Sequence, residues 1–133
     1  MRRWIQVRWL THSTGTIETF AVCAEGVPNE FGLSLWVHPR LEREVPADKP
    51  PIMHRRPSVG YVVTEASTGF VVSGPAVATP ALAVEQCLER WGRDPARCRD
   101  ILAQAVKTYG QCALPSVKRS TPQIKRLDTE VSK

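Results

Sequence analysis

His12 stands beside Ser13, and Cys23 and His38 follow further along the chain, so the residue types of a nucleophile and a base are present. A dyad also needs a base oriented by a third group, and spacing alone does not supply one. A small enzyme around His12, Cys23 and His38 therefore requires the three to converge in one pocket. The plainer reading makes His12 and Ser13 turn residues, whose short polar side chains satisfy nearby backbone groups. His12, His38, His54 and the cysteines Cys23, Cys87, Cys98 and Cys112 include no C-x-x-C or H-x-x-x-H pair. No metal, no cofactor and no catalytic residue is expected.

Ser13, Thr14, Gly15 and Thr16 lack the Lys and the strand-to-helix setting of a phosphate loop, and read as a hairpin turn. Glu85 and Glu89 are spaced for one exposed helix face, and Glu42 and Glu44 fall in a charged stretch, so both pairs are expected to be solvated.

Basic and aromatic residues carry the remaining signal. Arg90, Arg93, Arg97 and Arg99 cluster where two helices are expected to meet, but Asp94 and Asp100 flank them and would sit near phosphates. Four tryptophans are a different clue. Trp9 shares parity with Ile5 and Val7, and Trp91 ends a helical stripe, so both belong to a core. Trp4 shares a face with Gln6 and Arg8, and Trp36 with Ser34 and His38. Both indoles are expected to face outward from a sheet covered on one side only, as anchors for a partner.

The elements that must position these groups follow from periodicity. Arg3 to Leu10 alternates as a half-buried strand, Thr11 to Gly15 is a turn, and Ile17 to Ala24 pairs back antiparallel. Gly32 to His38 reads as a third strand, ended by Pro39. Residues 39–58 interleave five prolines with charge and read as a long surface loop. Tyr61 to Glu65 and Phe70 to Ser73 flank a short Gly-containing connection and form strands four and five. Thr79 and Pro80 open a helix whose stripe is Val84, Cys87, Leu88 and Trp91, with Gly92 as its stop. Asp94 and Pro95 open a second helix, with Cys98, Ile101, Leu102, Ala105 and Tyr109 on one side and Gly110 at its end. In this helical hairpin Cys87 and Cys98 are equidistant from the turn and are expected to face each other as small buried thiols.

The expected fold is α+β: an antiparallel sheet of about five strands with a C-terminal two-helix hairpin packed on one face. Residues 1–114 make one domain, and 115–133 a basic, flexible or loosely docked tail.

The chain has 133 residues and is 42% apolar, which suits one core and excludes disorder throughout. Its net charge of +5 is uneven: residues 1–114 carry 13 positive and 11 negative groups, and the last 19 residues carry 5 and 2. A uniformly basic nucleic-acid domain is therefore disfavoured. No run of 18 apolar residues exists, so no membrane partner is expected. Gln6 and Arg8 interrupt any leader-like apolar stretch, and four sparse cysteines suit reduced thiols in a cytoplasmic setting.

These readings converge on a non-catalytic accessory protein that binds a macromolecule, a protein complex or a twin subunit, through Trp4, Arg8, Trp36, His38, Arg55 and Arg56. Such a chain would suit a phage, plasmid or other mobile element, for example as an inhibitor of a host-defence complex. The alternative is contact with a DNA or RNA backbone through Arg97, Lys118, Arg119, Lys125 and Arg126.

Overall fold

The computed structural model describes residues 1–11, 14–112 and 115. His12, Ser13 and the tail residues Lys118, Arg119, Lys125 and Arg126 lie outside them.

The architecture is α+β, as expected, with five antiparallel strands in the order β1-β2-β3-β4-β5. They are β1 (Arg2–Thr11), β2 (Thr16–Val27), β3 (Leu35–Glu44), β4 (Ile52–Glu65) and β5 (Phe70–Val71), followed by helices α1 (Pro80–Arg93) and α2 (Pro95–Tyr109). β1 and β2 pair along ten positions, and β3 and β4 along ten, whereas β2 and β3 share only Glu25 to Val27 against Leu35 to Val37. The sheet is thus two long ribbons joined at a short hinge. Their inner faces fold together: Ile5, Val7, Phe20, Val22 and Ala24 of the first ribbon pack on Leu41 and Met53 of the second. A half-buried ion pair ties them, with Arg43 Nε donating to Glu18 Oε1 at 2.8 Å. The result is nearly a barrel.

The long surface loop expected over 39–58 is instead mostly strand. Pro39 does not end β3, because a register shift between Pro39 and Arg40 spares it a ladder donor. Pro46, Pro50 and Pro51 gather in the turn between β3 and β4. Pro57 sits where residues 57–60 leave register, since Arg56 opposes Arg40 while Tyr61 opposes Pro39. Leu41 and Met53 point inward while Glu42, Glu44, His54 and Arg56 alternate outward, the half-buried strand pattern that the prolines obscured.

The barrel closes through Gly69. Arg8 N–H donates to Gly69 O at 2.7 Å, and Cys112 N–H to Ser67 O at 2.8 Å. Gly69 has φ 74°, and a Cβ there would lie 2.8 Å from Cys112 Sγ and 3.2 Å from Gln6 O, so both conformation and space demand glycine. Buried Glu65 organises this corner. Its carboxylate accepts from Ser67 N–H (3.0 Å), Thr68 N–H (3.0 Å) and Ser67 Oγ (2.5 Å).

Helix α1 covers the outer face of β3 and β4, with Ala83, Cys87 and Trp91 packed on Val27, Leu35, Val37 and Val63. Thr79 caps it by accepting from Leu82 N–H at 3.1 Å. Gly92 remains helical. The break falls at Asp94 (φ −152°, ψ 75°), the residue that Pro95 excludes from helical backbone, and Asp94 then caps α2 by accepting from Arg97 N–H at 3.1 Å.

Candidate functional site

The residues singled out for a partner do not form one surface. Trp4 opposes Cys23, whereas Trp36 opposes Gly26, three positions further along β2. An odd separation on a strand means opposite faces. Trp4 is half-buried on the outside of the barrel. Trp36 turns inward, packs on the ribbon core, donates its indole N–H to Ser34 Oγ at 2.8 Å and covers Gly26. The bare second face expected for the sheet is the barrel interior. One-sided parity was legible in sequence; which side a folded ribbon turns inward was not.

His38 shares the inner face with Trp36 and is sealed at 2% exposure. Its Nδ1 lies 2.8 Å from Pro39 O and its Nε2 2.7 Å from Thr64 Oγ1. Burial drives its pKa down to about 4, against a smaller opposing effect of the Pro39 carbonyl, so the ring is neutral near pH 7. It is a core histidine, sealed from the surface where a partner was expected. Cys23, on the outer face beside Trp4, is separated from it by the sheet, so no pocket unites Cys23 with His38.

The arginines are also spoken for in several cases. Arg8 Nη1 donates to Tyr109 O (2.8 Å) and Gly110 O (3.0 Å), capping the C-terminal end of α2. Arg55 faces inward opposite Leu41, and Arg56 Nε reaches Glu42 Oε2 at 3.2 Å. Glu44 meets His54 Nε2 at 2.5 Å, so the two acids in this stretch form cross-strand pairs. Arg99 donates to Phe31 O at 3.2 Å, and Arg93 pairs with Glu89 one turn before it.

What remains open lies on the helical flank. α2 buries none of its residues, although Cys98 and Leu102 reach the edge of the core beneath α1. Between α2, the end of α1 and the exposed side of β5 runs a groove of about 440 Å³. Val71, Val72, Trp91, Ile101 and Leu102 make it apolar, and Ile101 is 59% exposed. Arg90 and Arg97 stand at its rim and form no ion pair among the described residues. The acid at the groove, Asp94, holds the α2 N-terminus. Both ingredients, the α2 stripe and the arginine cluster, are visible in the sequence, where the stripe reads as a core face. Its period is that of a buried helix face, and only the three-dimensional fold shows that no described residue lies over Ile101.

Cys87 is fully buried, and burial pushes its thiol up to about 11, with Arg90 opposing and the nearby Cys98 adding slightly. Cys98 is half-buried and borders the groove, so only the first of the two thiols is sealed as expected. Among the described residues no three metal-ligating side chains converge. No described helix is long and apolar enough to cross a membrane.

The fold and groove define a small α+β protein: a folded double ribbon, one covering helix and one helix whose apolar side stays open among the described residues. The chain matches no family model, no curated protein and no solved structure.

Proposed function

We propose that this is a non-catalytic accessory protein whose groove between α2 and β5 docks an acidic, amphipathic segment of a partner protein. The observation that carries the reading is the pairing of an exposed apolar floor with two guanidinium groups on its rim that form no ion pair among the described residues. Apolar side chains of the partner would displace water from Ile101, Leu102 and Val71, and its carboxylates would meet Arg90 and Arg97. A second copy of the chain is a poorer occupant, because a two-fold contact here would bring four rim arginines together. Residues 115–133 are poorer as well, since they carry 5 positive groups against 2 negative ones.

A synthetic amphipathic peptide with Leu and Phe on one helical face and Glu beside them tests the reading, against the same peptide with Lys for Glu and against duplex DNA. The Glu peptide should bind with about tenfold preference over the Lys peptide, and the double variant Arg90→Glu, Arg97→Glu should reverse that order. Binding should also slow alkylation of Cys98 at the groove. Equal affinity for the two peptides would overturn the proposal. So would duplex DNA that competes for the groove, or self-association abolished by Ile101→Asp; these would install a nucleic acid or a twin subunit instead.

A further inference from the structure

We propose that the barrel seam forms a second site, a cleft that takes a small carboxylate with an aromatic or branched aliphatic body. β5 is only two residues long, and the chain leaves β1 soon after the bond from Arg8 N–H to Gly69 O. Val72 N–H turns to Val63 O at 2.8 Å, and Tyr61 and Val77 exchange backbone bonds of 2.7 and 3.1 Å. The segment around Gly74 to Ala76 therefore follows β4, and a cleft of about 190 Å³ remains between it and β1.

Its interior is apolar, built by Val7, Trp9, Leu41, Val62, Val71 and Pro75. A cavity on the order of 150 Å³ with such walls accepts a benzene ring, so one ring or one branched chain fits. The walls are fixed. Ser73 Oγ accepts from Val63 N–H at 2.9 Å, and Gly60 lies so close beneath the segment that a Cβ there would be 2.6 Å from Val77 O. The register shift at Pro39 and Arg40 brings both His38 and Leu41 to the cleft although their parity differs.

Charge selects the polar end of the ligand. Among the described residues no acid borders the cleft. Arg8 is committed to the α2 carbonyls, and the His38 ring has both nitrogens engaged within the fold. Arg40 is exposed at the cleft and forms no ion pair among the described residues, and its cross-strand neighbour Arg56 is already met by Glu42. An apolar body inside with a carboxylate on Arg40 satisfies both halves of the site.

The test is a titration of ¹⁵N-labelled protein with benzoate and 3-methylbutanoate, alongside benzamide and 3-methylbutanol as uncharged counterparts. Amide shifts should concentrate at Val7, Trp9, Leu41, Val62 and Ala76. The acids should bind about tenfold more tightly than the neutral compounds, and added salt should weaken only the acids. Arg40→Gln, an exposed change that should leave thermal unfolding unaltered, should abolish the preference while keeping the weak neutral binding. Equal affinity for acid and neutral ligand would overturn the proposal. So would shifts centred on Ile101 and Leu102, or no saturable shift with any of the four compounds.

Discussion

The folded ribbons and the second helix are built from similar apolar material and meet opposite fates. Phe20, Val22 and Met53 are sealed between two strand pairs, whereas Ile101, one of the large apolar groups of α2, is more than half exposed. Both segments have clean periodicity, so what separates them is whether a second apolar layer exists to close over the first. The ribbons supply their own by folding at a three-pair hinge, and α1 finds one on β3 and β4. α2 joins α1 through one residue, Asp94, and is held at its far end by the Arg8 guanidinium. An element anchored at both ends, with only Cys98 and Leu102 reaching the core edge and Ile101 uncovered by the described residues, has its place set more by caps than by burial. That leaves its apolar side available to a partner.

Truncation should separate the two regions most sharply. Phe20→Ala should cost about 3–5 kcal/mol in urea unfolding, because a ring leaves a sealed space that two ribbons cannot collapse into. A loss under about 1 kcal/mol would mean that the ribbons pack loosely and that the contrast with α2 is false.

Acid should act next most strongly, and on the ribbons alone. His38 has a folded pKa of about 4 against an ordinary 6.5, so above pH 6.5 both folded and unfolded chains hold it neutral. As pH falls from about 6.5 to about 4 only the unfolded chain takes the proton, and stability drains by about 1.4 kcal/mol per pH unit. The loss reaches roughly 3 kcal/mol and levels off below about pH 4. The difference between wild type and His38→Gln across this window isolates the term. Parallel pH curves for the two proteins would show that His38 is not sealed in solution.

Gly69→Ala should cost about 1–3 kcal/mol by forcing apart the seam where β1 meets the β4–β5 corner, since the new methyl would strike Cys112 Sγ and the Gln6 carbonyl. Hydrogen exchange should quicken at Arg8, whose amide is bonded across that seam, before it quickens at Val22. Uniform quickening would make the seam part of one cooperative unit with the core.

Sequence legibility follows the same division. Helix starts were readable because Thr79–Pro80 and Asp94–Pro95 act locally, and β1 and β2 were readable because alternation needs no distant partner. The 40–44 and 52–56 strands were hidden by prolines whose harmlessness depends on register, a property of two strands at once. The inward placement of Trp36 and His38 is hidden in the sequence for a related reason. Parity assigns residues to faces, but only the fold of one ribbon over another decides which face is interior. The candidate groove was legible as composition, Ile101 and Leu102 beside Arg90 and Arg97, and illegible as a site because exposure depends on what fails to pack there.

The smallest stability effect is the most diagnostic for function. Ile101→Ser removes an apolar group that is already 59% exposed, so stability should move by no more than about 0.5 kcal/mol. The same change should weaken the acidic amphipathic peptide several-fold, because in the complex that position passes from water to a partner's apolar side. Arg97→Gln should likewise leave unfolding unchanged while lowering the association rate and its salt dependence. A large stability loss at Ile101 would place α2 in the core and erase the contrast between the two regions. Unchanged unfolding with unchanged peptide affinity would leave the contrast intact and remove the groove as its use.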